Sequence, residues 1–207
     1  MSAEASRLQQ IDAQVRVCAL CSLADSRVKA VPGEGPYNAE LMFIGEAPGW
    51  NENQQGRPFI GPAGKFLDEL LASVSLLREQ VYITNIVKCR PPNNRDPLGE
   101  ELAACTPYLD EQVKLINPAV VVTLGRFSMG RFFPGEMISR IHGTARVVDG
   151  RTVVAFYHPA AALRQQALRR TLEEDFRRLP RFVAEAKARM QTAQAPTEEP
   201  PQQLSLF

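Results

Sequence analysis

The chain has 207 residues, of which 44% are hydrophobic, and a formal net charge of +1 at pH 7. This size allows one α/β domain with a real core, and the near-zero charge excludes a protein that attracts nucleic acid through its overall field. No run of 18 apolar residues is present, which excludes an ordinary membrane-spanning helix. Because residues 1–17 are polar and helical in pattern rather than a signal peptide, we expect a cytoplasmic protein with no membrane partner.

Apolar strands alternate with helical patterns along the chain. We predict strands over residues 40–44, 81–87, 119–124 and 152–156 and helices over 62–77, 98–116 and a long basic stretch after residue 163. Strands separated by helices favour a mainly parallel sheet that is covered on both faces.

The composition changes near the carboxyl terminus. From about Gln191 the chain is rich in Pro, Gln, Glu and Thr, which bury too little surface to fold. We therefore predict a folded domain over residues 1–190 and a disordered tail over residues 191–207.

Three polar residues follow or end the predicted strands. Glu46 comes after the first strand, Asn85 lies late in the second, and His158 follows the fourth. Ligands bind outside the carboxyl ends of strands in such sheets, so we expect these side chains to meet at one site. The alternatives are a plain turn at residues 45–49, an amide bonded to loop backbone, and a structural histidine.

The chain has four cysteines, at positions 18, 21, 89 and 105. In a chain of this size without signs of secretion a disulfide framework is not expected, whereas four thiolates from two distant segments suit one metal site. Their spacing fits zinc or an iron–sulfur cluster equally well, and four unrelated buried cysteines remain an alternative.

Several motifs together resemble one family. The segments GEAPG (residues 45–49), GRPF (56–59), ITNIVKCRPP (83–92) and HPAAAL (158–163), with the cysteine spacing, resemble the family 4 uracil-DNA glycosylases. The resemblance implies a three-layer α/β/α sandwich around a four-stranded, mainly parallel sheet. It also implies one [4Fe–4S] cluster without a redox role in the cleavage, with zinc as the minor alternative; the cluster ligands would be Cys18, Cys21, Cys89 and Cys105.

The resemblance also implies roles for individual residues. Phe59 would stack on a uracil flipped out of DNA, Asn85 would read its Watson–Crick edge, and His158 would stabilise the uracil anion as the bond breaks. The other residues expected to act on the base are Glu46, which would position water or hold the loop, and Gly45, Ala47 and Gly49. Ala47 occupies a position where some related glycosylases carry an acidic or amide side chain, and it cannot act as a base. Leu163 is a candidate wedge into DNA, or alternatively a core residue, and Arg164 a candidate phosphate contact.

The last five residues resemble the short peptide that bacterial sliding clamps bind. The candidate clamp contacts are Gln203, Leu204, Leu206 and Phe207, at the tip of the polar tail. The motif points to a bacterial source, and a loose tail without a partner is the alternative.

The sequence thus predicts a monomeric, monofunctional uracil-DNA glycosylase that hydrolyses the N-glycosidic bond and leaves an abasic site in the nucleoid. Because Ala47 removes one candidate base, the alternative is a clamp-tethered module that binds DNA lesions with little turnover. The region of the chain after the second predicted strand has no histidine. This favours turnover over the covalent attachment to DNA that is known for a close relative of the family.

Overall fold

A computed structural model describes residues 3–194 of the protein. Five strands alternate with ten α-helices over this range, and two 3-10 turns lie at Arg78–Gln80 and Pro92–Asn94. The strands are β1 (Leu41–Gly45), β2 (Tyr82–Asn85), β3 (Val120–Leu124), β4 (Thr144–Val148) and β5 (Arg151–Phe156). The helices are α1 (Ala3–Val17), α2 (Leu23–Ser26), α3 (Trp50–Gln55), α4 (Pro62–Ser73), α5 (Gly99–Ile116), α6 (Arg126–Phe132), α7 (Ile138–Ile141), α8 (Pro159–Ala162), α9 (Gln166–Arg177) and α10 (Leu179–Gln194).

The strands form one sheet in the order β2-β1-β3-β5-β4. The first four strands in this order run parallel, and β4 pairs antiparallel with β5. Since the chain crosses from β1 to β2 on one side and later to β3 on the other, the connections diverge at the carboxyl ends of β1 and β3. This is where ligands bind in open α/β sheets.

The sheet separates two hydrophobic cores. Met42 and Ile44 point to the core that is shared with α1 and α5, whereas Leu41 and Phe43 point to the core shared with α4, α9 and α10. Strand residues alternate between faces because successive side chains point in opposite directions. The prediction of a three-layer α/β/α architecture with a mainly parallel sheet is confirmed.

Three details of the prediction are wrong. The sheet has five strands in place of four, because β4 was not recognised. The basic stretch after residue 163 forms two helices, α9 and α10, that meet at Arg178. Helix α10 continues to Gln194, past the predicted end of the folded domain at residue 190. Residues 3–194 contain no helix that combines the length and the apolar composition of a membrane span.

Candidate active site

A wide pocket opens at the carboxyl ends of the strands. It measures about 1290 Å³ including the open solvent above it. Seven residues that were predicted to act on substrate or DNA line it: Glu46, Ala47, Gly49, Phe59, Asn85, His158 and Arg164. Of the remaining two, Gly45 is buried against Asn85 and Phe59, and Leu163 is a 45% exposed side chain beside the lining residues Ala161 and Arg164. The exposure of Leu163 excludes the core alternative, but its role as a wedge stays a prediction.

Asn85 provides the pocket with an unused hydrogen-bond acceptor. It ends β2 beside Gly45 and is 1% exposed, and its Oδ1 has no hydrogen-bond partner among the described residues. A buried amide oxygen without a partner is costly, so this atom requires a donor from a bound ligand or a water. A Cβ on Gly45 would lie 2.4 Å from this oxygen and 2.5 Å from Cζ of Phe59. Glycine at position 45 therefore keeps both side chains in the pocket.

Phe59 is held in a left-handed backbone conformation, with φ of 49°. Its carbonyl accepts a 2.9 Å hydrogen bond from Nη1 of Arg78, whose Nη2 also binds the Pro58 carbonyl. Gly64 lets this loop pass close to α4, since a Cβ there would lie 1.9 Å from the Phe59 carbonyl oxygen. The loop therefore holds the ring of Phe59 in place, with its centroid 5.6 Å from that of His158 in a stacked arrangement.

Glu52 is a pocket residue that sequence reasoning missed. Its Oε1 accepts hydrogen bonds of 2.9 and 2.8 Å from the backbone N–H groups of Ile60 and Gly61. These bonds fix the segment that follows Phe59, and the side chain also lines the pocket. The residue lies in a polar run, WNENQQ, where no pattern distinguishes it from solvent-exposed neighbours.

The hydrogen bonding of His158 determines which ring nitrogen can donate. The backbone N–H of Ala160 donates to Nδ1 at 3.1 Å, so Nδ1 is an acceptor. Burial lowers the pKa of His158 to about 4, with Glu52 opposing the shift. The imidazole is therefore neutral near pH 7, and its single proton lies on Nε2. His158 is thus prepared to donate a hydrogen bond without carrying a positive charge.

Glu46 lies in a small charge cluster. Burial raises the pKa of its carboxyl group, the charge of Asp96 raises it further, and Arg126 lowers it. Arg126 forms an ion pair with Asp96 at 2.5 Å and lines the same pocket. A carboxyl group with a raised pKa is a stronger base than an ordinary one, which suits it to orient or deprotonate water.

Arg126 was also missed, although the sequence contained the signal for it. It is the first residue after Gly125, at the carboxyl end of β3. The same reasoning about strand ends that selected Glu46, Asn85 and His158 applies to this position. Gly125 has a φ of 92°, and a Cβ on it would lie 3.1 Å from Cβ of His158, so the ends of β3 and β5 approach closely here.

The four cysteines line a second pocket, of about 280 Å³ including open solvent. They come from three places in the chain: Cys18 and Cys21 follow α1, Cys89 follows β2, and Cys105 lies in α5. All four are free thiols. Among residues 3–194, no three His, Cys, Asp or Glu side chains are grouped as ligands of a single metal ion.

Donor groups surround this cysteine pocket. Nη1 of Arg27 donates to Sγ of Cys89 at 3.4 Å, and the backbone N–H of Lys88 donates to Sγ of Cys105 at 3.3 Å. Burial raises the pKa of the Cys105 thiol to about 11 and that of Cys89 above its usual value. These two thiols are therefore protonated on their own, and a metal group would bind there by displacing the protons.

Comparison with known proteins gives consistent matches over this region. The Uracil DNA glycosylase superfamily matches residues 32–179. A type-4 uracil-DNA glycosylase of Sulfurisphaera tokodaii is 48% identical over 83% of this chain and 83% of its own length. The type-4 enzyme of Archaeoglobus fulgidus is 45% identical over 83% of this chain and 91% of its own length. The type-4 enzyme of Thermotoga maritima is 40% identical over 85% of this chain and 94% of its own length.

Proposed function

The chain belongs to the uracil DNA glycosylase superfamily, and from this premise we propose that it flips uracil out of DNA and hydrolyses the N-glycosidic bond. The type-4 enzymes that cover most of the chain support this function over the lesion-binding alternative. The observation within the site that carries the proposal is the buried, unpartnered Oδ1 of Asn85 in a pocket that also contains a neutral histidine donor.

Recognition of uracil follows from the donors and acceptors of Asn85. Its Oδ1 would accept from uracil N3–H, and its amide NH2 would donate to uracil O4. Cytosine presents the reverse pattern at these two positions, so the same side chain rejects it. The fixed ring of Phe59 would supply the stacking surface that replaces the lost neighbours in the DNA helix.

Bond cleavage places negative charge on uracil O2 and positive character on the sugar. We assign the Nε2–H of His158 as the donor to O2, because a neutral imidazole that already accepts at Nδ1 has its only proton there. A fixed donor aimed at developing charge acts as an oxyanion hole does.

We assign Glu46 to orient or deprotonate the attacking water, since the side chain of Ala47 cannot act as a base. No lysine is among the residues that line the pocket, and Lys88 instead donates to Thr84, Gln112 and the Asn85 carbonyl. The lining of the pocket therefore offers no lysine amine that could form a Schiff base with the sugar. We propose simple hydrolysis that leaves an abasic site.

The charge cluster predicts how activity depends on pH. If the Glu46 carboxylate is required, the single-turnover rate falls as pH drops through its raised pKa, above the ordinary value of 4.5. Asp96→Asn removes a charge that raises this pKa, so the acid limb should move to lower pH. Arg126→Gln removes a charge that lowers it, so the limb should move to higher pH. Rates measured from pH 4 to 8 with enzyme in saturating excess test both shifts.

Glu46→Gln is the control for this pH profile, since it cannot titrate and should lose the limb. Shifts of the two neighbouring variants in the same direction would contradict the assignment of the limb to Glu46.

We propose that Leu163 and Arg164 contact DNA beside the flipped nucleotide. Leu163 is exposed next to the pocket, and Arg164 lies in its wall with Arg95 and Arg126. Guanidinium groups at the rim suit phosphate oxygens, while an apolar side chain can fill the space that the uracil vacates. We further propose that the enzyme acts as a monomer, in the cytoplasm with the nucleoid.

We propose that Cys18, Cys21, Cys89 and Cys105 hold one [4Fe–4S] cluster. Their convergence on one pocket supports a shared site, and thiolates are the ligands that iron–sulfur clusters use. Zinc, the alternative, would need all four sulfurs about 2.3 Å from one ion, whereas a cubane gives each thiolate its own iron. The cluster would link α1, the loop after Asn85 and α5, and its contribution is folding stability rather than redox chemistry.

One assay tests the function directly. A short uracil-containing duplex is incubated with the protein under multiple-turnover conditions and then treated with alkali, which cleaves at abasic sites. Strand cleavage by the wild type and a loss of orders of magnitude in Asn85→Ala are expected. Strands that stay intact with the wild type would contradict the enzyme and favour the lesion-binding module.

The clamp-binding tail lies outside the described residues, and we keep it as a proposal from the sequence. Deletion of residues 203–207 should abolish binding to a bacterial sliding clamp, because Leu206 and Phe207 would fill an apolar pocket on it. Excision from a short duplex should stay unchanged. A clamp titration beside the cleavage assay tests this, and retained clamp binding by the deletion variant would refute the motif.

A further inference from the structure

Trp50 is the only tryptophan of the chain and is 59% exposed. Tryptophan is largely buried in most proteins, since its indole is the largest side-chain surface that folding can remove from water. Single exposed apolar residues need no explanation by themselves. The position of Trp50 gives its exposure a meaning, because it directly follows Gly49 in the pocket wall.

The exposure of Trp50 follows from how helix α3 is held. Oε1 of Glu52 accepts two backbone hydrogen bonds from the Phe59 loop, and Oδ1 of Asn53 accepts one of 2.9 Å from the N–H of Val28. These two buried residues fix the helix on the protein and leave Trp50 in solvent. No ring or cation stacks on its indole among the residues that the structure describes.

The surroundings indicate what the indole binds. The neighbouring pocket wall carries Arg126 and Arg164, and Leu163 is exposed on a different element beside the same pocket. Trp50 is therefore an exposed aromatic residue that adjoins, through Gly49, a pocket with basic groups in its wall. Basic grooves with exposed aromatic side chains are typical of surfaces that bind single-stranded nucleic acid, where bases stack on the rings.

We infer that Trp50 stacks on an unpaired base that flanks the flipped uracil in single-stranded DNA. The inference rests on the proposed function, which places the uracil in the adjacent pocket. In a duplex the flanking bases are covered by their own stacking and pairing, so the indole gains little there. In a single strand their faces are open, and stacking on an aromatic ring tolerates any base. Trp50 thus favours single-stranded substrates without reading their sequence.

The single tryptophan makes the inference directly measurable, since all indole fluorescence comes from Trp50. The probe is a short single strand with one 2′-fluoro-2′-deoxyuridine, whose glycosidic bond resists hydrolysis. Quenching of the indole emission on titration is expected. Variants without the indole are titrated by the anisotropy of a dye on the DNA: Trp50→Ala should weaken binding of this strand about tenfold, equivalent to about 1.4 kcal/mol, and binding of the matched duplex less than threefold. Trp50→Phe, which keeps a ring, should recover most of the affinity.

Tyr37→Ala is the matched control, because Tyr37 is a 43% exposed aromatic residue near Tyr82, which begins β2 at the end opposite to Asn85. It should bind both probes as the wild type does. Unchanged fluorescence at saturation, or equal single-strand affinity in Trp50→Ala and wild type, would overturn the inference. Cleavage of a uracil-containing strand by the wild type is measured in parallel, so failure of the function itself is recognised separately.

Discussion

Replacing His158 with alanine is expected to lower the single-turnover rate of uracil excision by about 10²–10³-fold, the usual cost of one oxyanion-hole donor. The loss should fall on the chemical step, because His158 acts on charge that develops as the bond breaks. Affinity for uracil-containing DNA should change far less. The measurement is single-turnover cleavage with enzyme in saturating excess, beside a binding titration with a non-cleavable strand.

The protonation state of His158 makes this prediction sharper. Burial lowers its pKa to about 4, and a histidine with a lowered pKa loses its proton as pH rises through that lowered value. From about pH 5 upward the ring is neutral, so the effect of His158→Ala should stay constant across neutral pH. A deficit that changes near pH 6.5, the ordinary histidine pKa, would contradict catalysis by the neutral ring.

His142 is the matched control, as the only other histidine of the chain. Its Nδ1 lies 2.7 Å from Oδ2 of Asp175, and it is not among the residues that line the pocket. His142→Ala should keep its excision rate within a few-fold of the wild type. Near-normal cleavage by His158→Ala would remove that residue from the mechanism.

The parallel core of the fold was predictable because each of its strands is buried on both faces and appears as a short apolar run. Strand β4 was missed because all five of its residues are partly or largely exposed and Arg146 lies in the middle, so it does not appear as an apolar run. A signal for it was present in Asp149-Gly150, a dipeptide typical of tight hairpins. Both residues have positive φ, 47° and 78°, and they connect β4 to its antiparallel partner β5.

Strand ends predicted part of the candidate site, and the family resemblance predicted further lining residues such as Phe59 and Arg164. The strand-end rule selects Glu46, Asn85 and His158, and it also applies to Arg126, which was overlooked. Glu52 could not have been found this way, since it reaches the pocket from a short helix through contacts with a loop nine residues later. The residue that supports a loop depends on the tertiary path of the chain, which the local pattern does not contain.

The second large effect concerns the cysteines. Cys89→Ser is expected to abolish the visible absorbance of thiolate-bound iron and to reduce iron well below about four per chain in protein purified without oxygen. A serine oxygen replaces a thiolate poorly as a ligand of iron–sulfur clusters. Because metal binding energy becomes folding energy, we expect a loss of about 4 kcal/mol or more. At about 2–4 °C per kcal/mol for a domain of this size, the midpoint of thermal unfolding should fall by about 10 °C.

Activity should fall together with stability in this variant. Cys89 lies four residues after Asn85, and the intervening residues Ile86 and Val87 donate backbone hydrogen bonds to the carbonyls of Gly45 and Glu46. A released Cys89 therefore loosens the two strand ends that carry the base-reading amide and the carboxylate. Ala104→Ser is the matched control, since Ala104 lines the same pocket and all four thiols remain. It should keep its iron, thermal midpoint and excision rate. Stoichiometric zinc and no iron in wild type purified without oxygen would show that the site binds a single zinc ion and not a cluster. Full iron content in Cys89→Ser would show that Cys89 is not a ligand.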